Sequence, residues 1–158
     1  MSVVKAGVRI HFDPSSHMSS WYVKDYSGWE ARTFHIFQRF VRNDSIVLDV
    51  GAWIGPTCLW LAHTARHTVC LEPTPAAFTA LQRNLQRNTD LRPDAVHLVN
   101  AALSNQKEVA PMTNAGNSMD QLALARRRLA ESKMVDVTTI DELERWDTPH
   151  CPLTAGCV

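Results

Sequence analysis

The residues with the most chemistry to offer are Asp49-Val50-Gly51-Ala52-Trp53-Ile54-Gly55, an Asp-x-Gly-x-x-x-Gly pattern, with Glu72 twenty-three positions after Asp49. Glycines at this spacing suit a tight passage from strand to helix, where a side chain would block a ligand lying against the backbone. An acid at the end of the second strand of such a unit accepts hydrogen bonds from ribose hydroxyls. The spacing also discriminates between ligands. Dinucleotide sites use Gly-x-Gly-x-x-Gly to bring a helix N-terminus onto a pyrophosphate, and here Trp53 and Ile54 stand where the close-approach glycine is needed. Asp49 instead suits a ligand with a positively charged amino-acid portion. S-adenosylmethionine carries such an ammonium, with an adenosine and no phosphate. The plain structural alternative has Asp49 bracing the turn and Glu72 capping the helix after Pro73.

The flanking pattern supplies elements to position these residues. Ser45 to Val50 is a short, β-branched apolar run ended by Gly51, which predicts a strand buried on both faces of a parallel sheet. Pro56 suits the first position of a helix running to about Arg66. Thr68 to Leu71 is a second strand. Pro75 to Asn88 is a helix with Ala77, Phe78, Leu81 and Leu85 on one face and Gln82, Arg83, Gln86 and Arg87 toward water. Val96 to Val99 is a third strand. Strand, helix, strand, helix, strand is the alternation of a doubly wound α/β sheet. Upstream, residues 1–26 read as a loosely ordered lead-in. Ser27 and Glu30 have capping-box spacing for a helix to about Val41, with Phe34, Phe37 and Val41 on its core stripe. Downstream, Ala110 to Gln121 is rich in turn-formers, Leu122 to Ser132 reads as a polar-faced helix and Met134 to Val137 as a strand. Thr139 and Glu142 repeat the capping-box spacing for a short helix to about Trp146. The domain therefore runs over 27–146, and 147–158 is an irregular tail.

At 158 residues the chain is the size of one domain. A 45% hydrophobic fraction with 16 basic and 16 acidic side chains describes a globular protein and excludes disorder. Zero net charge argues against a dedicated nucleic-acid binder. There is no apolar run of about 18 residues for a membrane span. The first seventeen positions carry Lys5, Arg9, His11 and Asp13 in place of a signal peptide's apolar core, so a cytoplasmic location is the default expectation. Cys58, Cys70, Cys151 and Cys157 include no Cys-x-x-Cys pair, and neither a zinc site nor a disulfide framework is expected. Cys58 and Cys70 read as small core residues.

Other candidates carry less. His63 and His67 are four apart, as two metal ligands on a helix can be, but lack a third ligand and read as a solvated face. Arg126-Arg127-Arg128 is a short solvated run. Ser104, Ser118 and Cys151, with His150 beside it, lack a motif for an activated nucleophile. Trp53, Trp60 and Phe78 read as core or pocket wall.

Val47 to Gly55, Leu71-Glu72-Pro73-Thr74-Pro75-Ala76-Ala77-Phe78, Leu81 to Asn88 and Asn100-Ala101-Ala102-Leu103-Ser104 together resemble successive motifs of the FkbM family of S-adenosylmethionine-dependent methyltransferases. Trp29-Glu30 and Thr33-Phe34 resemble the helix preceding the first motif, and Val137 to Leu143 the segment before the family's fourth strand. The resemblance implies a Rossmann-like methyltransferase sheet with helices on both faces. It implies a cofactor site from Asp49, Gly51, Ala52 and Gly55, with Glu72 on the ribose and Asn100 and Ala101 near the adenine. Glu30 is a further contact to the methionine part or, equally, the capping-box partner of Ser27. Asn117-Ser118 resembles an Asn-Ser step in the family's variable loop.

The family continues with a strand close to Ile-Lys-Ile-Asp-x-Glu-Gly, whereas this sequence reads Glu144-Arg145-Trp146-Asp147-Thr148-Pro149-His150-Cys151. The expectation is a chain lacking the C-terminal half of the fold, with one wall of the crevice and an unpaired edge on the first strand. Three functions follow. The first is methyl transfer to an oxygen or nitrogen of a small-molecule or sugar acceptor. The others are a non-catalytic cofactor-binding fragment and, disfavoured by the glycine spacing, a nicotinamide-dependent oxidoreductase.

Overall fold

The computed structural model describes residues 1–15, 18–92, 94–113, 121–122 and 132–144. The chain opens with an antiparallel hairpin, β1 (Ser2–Lys5) and β2 (Val8–His11), followed by helices α1 (Ser19–Lys24) and α2 (Ala31–Phe40). Next comes the expected alternation: β3 (Ile46–Val50), α3 (Cys58–Thr64), β4 (His67–Leu71), α4 (Pro75–Gln86) and β5 (Val96–Val99). The three strands form a parallel sheet in the order β3-β4-β5, with Asp49 level with Cys70 and Cys70 level with Leu98. Then follow β6 (Ala102–Leu103), β7 (Glu108–Thr113), β8 (Gln121–Leu122), β9 (Ser132–Thr138) and α5 (Ile140–Glu144), with β6-β9-β7-β8 forming another sheet. The architecture is α/β with a Rossmann-like parallel sheet.

The described residues of the 1–26 segment, expected to be loosely ordered, are instead an ordered wrap. Ala6 and Gly7 both have positive φ, 46° and 84°, which is the two-residue hairpin turn whose twist matches the flanking strands. Ile10, Phe12, Tyr22 and Tyr26 from this segment are fully buried with Phe34 and Leu59 in one core cluster. Phe12 stacks on Tyr22 at 3.4 Å, and Tyr26 meets Phe34 edge-on at 6.2 Å.

The Ser27–Glu30 capping box does not form. Glu30 lies in the left-handed region at φ 46°, α2 begins only at Ala31, and no side chain caps it. The turn is held instead by Lys5, buried at 2% exposure, whose Nζ donates to the carbonyls of Tyr26 at 3.0 Å, Ser27 at 3.1 Å and Trp29. The second capping signal is realised, with Thr139 Oγ1 accepting from the Glu142 N–H at 3.3 Å.

α3 starts at Cys58 rather than Pro56, and the Thr57 hydroxyl before it is engaged with Asp49 and does not cap. α4 matches its expected faces: Leu81 is buried and Gln82, Arg83, Gln86 and Arg87 are exposed. The turn-rich reading of Ala110 to Gln121 fails at its start, where β7 continues to Thr113 paired along β9. Of the helix expected over Leu122 to Ser132, positions 123–131 lie outside the described residues, as do Trp146, Asn117, Ser118, Arg126 to Arg128, His150 and Cys151.

β3 is parallel as expected, but it is not buried on both faces. α3 and α4 cover the side of Cys70 and Val96 through Cys58, Ala62 and Leu81. On the opposite side Ile46, Leu48 and Val50 are 54%, 38% and 54% exposed, and among the described residues β3 pairs only with β4. Among the described residues no helix is long and apolar enough to cross a membrane.

Candidate functional site

The site grows from the passage between β3 and α3. Gly51 has φ 81°, Trp53 φ 51° and Gly55 φ 100°. Left-handed backbone costs an L-residue roughly 1–2 kcal/mol, which explains glycine at the first and last of these positions. At Gly55 there is a steric reason as well: a Cβ would lie 2.7 Å from Leu81 Cδ1. At Gly51 nothing lies within 4 Å of an added Cβ, so that side of the turn is open space. The turn is pinned to the end of β4, where the Leu71 carbonyl accepts from the N–H groups of Gly51 at 2.9 Å and Ala52 at 2.8 Å. Ala52 is fully buried.

Two carboxylates meet here. Glu72, 5% exposed, is bonded to the backbone through both oxygens: Oε2 accepts from the Trp53 N–H at 2.9 Å and Oε1 from the Thr74 N–H at 2.8 Å. These bonds stabilise the left-handed residue of the turn and the entry to α4. Asp49 accepts from the Thr57 hydroxyl at 2.7 Å. Burial raises its carboxyl above the ordinary aspartate range; the Thr57 hydrogen bond opposes this and the Glu72 charge adds to it. Among the described residues Asp49 has no ion-pair partner.

Of the other expected residues, Asn100 is exposed, and its Nδ2 donates to the Glu72 carbonyl at 2.7 Å, tying the end of β5 to the end of β4. Ala101 is buried beside it. Asp49, Gly51, Ala52, Gly55, Glu72, Asn100 and Ala101 thus gather at the carboxyl ends of the three parallel strands. Glu30 is exposed at the start of α2, close enough to Lys5 to interact with its charge. His63 and His67 do not share a face: His63 is on α3 and donates through Nδ1 to the Leu59 carbonyl at 2.7 Å, whereas His67 begins β4.

Several residues that hold the site were not picked out from the sequence. The Ile54 carbonyl accepts from Asn84 Nδ2 at 2.7 Å and from the Tyr22 hydroxyl at 3.2 Å, and the Tyr26 hydroxyl donates to the Pro56 carbonyl. Asn84 sits fully buried on α4, three positions after Leu81. A polar residue on an otherwise apolar helix stripe was the available signal. Trp21, half-buried, packs edge-on against Trp29 at 5.5 Å and Trp53 at 5.4 Å, joining α1, the turn before α2 and the glycine turn.

The cysteine expectation is half right. Cys58 and Cys70 are both fully buried, but they are bonded as a disulfide, Cα to Cα 6.3 Å, between the first residue of α3 and the penultimate residue of β4. A separation of 12 residues without a motif gives the sequence no reason to pair them; the fold brings them together by laying α3 on β4.

No family model and no curated protein matches the chain. Among solved structures it is similar to the methyltransferase FkbM from Methylobacillus flagellatus KT, with a TM-score of 0.47 and 14% identity over 80% of this chain and 28% of that one. It is similar to the precorrin 8W decarboxylase of Methanobacterium thermoautotrophicum, with a TM-score of 0.39 and 27% identity over 45% of this chain and 37% of that one. A SAM-dependent methyltransferase from Leishmania major matches with a TM-score of 0.35 and 26% identity over 54% of this chain and 32% of that one. The chain spans about a third of the length of these proteins.

Proposed function

We propose that the chain carries the S-adenosylmethionine-binding part of a methyltransferase of FkbM type, acting on an oxygen or nitrogen of a small-molecule or sugar acceptor. The observation that carries this reading is Asp49: a half-buried carboxylate without a cationic partner among the described residues, beside a glycine turn whose Gly51 side is open. The donor set fits the cofactor. An ammonium arriving at Asp49 supplies the charge that burial leaves uncompensated. Each Glu72 oxygen accepts one N–H and keeps a lone pair for a ribose hydroxyl. When bound, S-adenosylmethionine supplies an electrophilic methyl group on a sulfonium. The contribution of this chain is positional, since fixing two reactants in line replaces a bimolecular encounter. Thr57 orients Asp49, and Asn100 fixes the adenine-side end of β5.

Calorimetry with S-adenosylhomocysteine tests this. Binding is expected, weakened roughly tenfold to a hundredfold by Asp49→Ala, as for loss of one hydrogen bond to a charged group. No binding, or preference for NADH, overturns it.

A second reading, a cofactor-binding chain that performs no transfer, is favoured by the single partner of β3: among the described residues only one wall of the crevice is present. Transfer of labelled methyl by the chain itself would exclude that reading.

A further inference from the structure

Behind the glycine turn lies a second group of ligating atoms. Asp49, Cys58 and Cys70 each offer one such atom, and all of these lie within 4.8 Å of one another. Both cysteines are fully buried and Asp49 half-buried, on elements fixed by register and by the core: Asp49 is level with Cys70, and Cys58 opens α3 next to Thr57. A disulfide alone does not account for this grouping. Two bonded sulfurs are neutral and gain nothing from a carboxylate beside them, whereas a cation at the same point would be met by three anionic donors. The Thr57 hydroxyl on Asp49 at 2.7 Å is then the outer partner that holds a ligating carboxylate in place.

We propose that in the dithiol state Asp49, Cys58 and Cys70 form a binding site for a thiophilic divalent cation of the zinc class, and that the disulfide is its closed form. The Cα separation of 6.3 Å serves both states, since turning the two side chains apart about Cα–Cβ opens the sulfurs to the spacing of a tetrahedral site with bonds of about 2.3 Å. Three protein ligands leave a fourth position for water or an added thiol. The balance is simple. A small-molecule dithiol gives two electrons and two protons to the Cys58–Cys70 bond and leaves as its own cyclic disulfide; the cation then binds the two sulfurs as thiolates, releasing their two protons to solvent. The site shares Asp49 with the proposed cofactor pocket, yet its test does not depend on methyl transfer: a chain with no cofactor affinity would still bind the ion.

The test uses the full chain with Cys151→Ser and Cys157→Ser, so that Cys58 and Cys70 are the remaining cysteines. After reduction and anaerobic removal of the reductant, cobalt(II) is titrated as a spectroscopic probe. One equivalent is expected to bind, giving thiolate-to-cobalt charge-transfer absorption and the visible bands of a tetrahedral ion, and zinc displaces it. The oxidised protein shows neither band. Cys58→Ser is expected to lose the charge-transfer intensity of one sulfur and most of the affinity. Asp49→Asn, which removes no cysteine and serves where the cysteine variant does not fold, is expected to bind at least tenfold more weakly with the charge-transfer bands retained. No cobalt uptake by the reduced chain, or equal affinity in Asp49→Asn, overturns the proposal.

Discussion

Asp49 and Glu72 show how one turn can use the same chemical group in opposite ways. Glu72 has both oxygens on backbone N–H groups and acts as part of the frame. Asp49 has the Thr57 hydroxyl and a half-buried position whose desolvation raises its pKa and favours the neutral form. On the proposed reading recognition falls on Asp49, and substitution of Glu72 acts first through the shape of the turn. His97, on β5, illustrates the same physics in a basic group. Burial, assisted by the charge of His67, lowers its pKa from 6.5 to about 4. Between those values the unfolded chain binds the proton and the folded chain does not, so stability falls as pH drops through this window and is retained above it. His97→Gln is expected to flatten the acid side of the stability profile between pH 6.5 and about 4, which urea titrations at several pH values would measure. An unchanged slope would remove His97 from the account.

At the scale of elements, the glycine turn is shaped from outside by α4 and by the amino-terminal wrap. Asn84 joins all three: its Oδ1 accepts from the Asp13 N–H at 2.8 Å, and its Nδ2 donates to the Ile54 carbonyl. Asn84→Ala is expected to leave these buried groups unpaired and to cost about 1–3 kcal/mol in chemical denaturation. It should weaken cofactor binding without touching the ligand. A loss below about 0.5 kcal/mol would mean that water replaces the amide. The unit from β3 to β5 was legible in the sequence because each element is local: β-branched runs for strands, a 3.6-residue stripe for α4, and glycine and proline between them. The wrap was not, because its strands are four residues long and its turn places Ala6, an unusual choice, at positive φ. Lys5 was invisible for the opposite reason, since a lysine at a strand end ordinarily faces water. The site acids were legible because their spacing is set by the strand–turn–helix unit itself. Their supports Tyr22, Asn84 and Thr57 were not, because those contacts join segments distant in sequence or use a hydroxyl without a motif.

At the scale of the molecule, the parallel sheet is covered unevenly by the described residues. Ile46, Leu48 and Val50 form an exposed apolar row on β3, which among the described residues is an edge strand, an arrangement that promotes association between copies or partners. Ile46→Lys with Val50→Lys is expected to change folding stability by no more than about 0.5 kcal/mol per site, as for other exposed positions, while reducing self-association in light scattering. A large loss of stability would show that this face is packed in the folded protein. The wrap has a different consequence, in time. The backbone of His11 is bonded to the Asn88 side chain across 77 positions, and that of Asp13 to Asn84 across 71. Contacts of such span are late to form. On a ribosome the wrap must therefore wait for α4, which follows it in the chain, and is among the last parts of this unit to reach its final place.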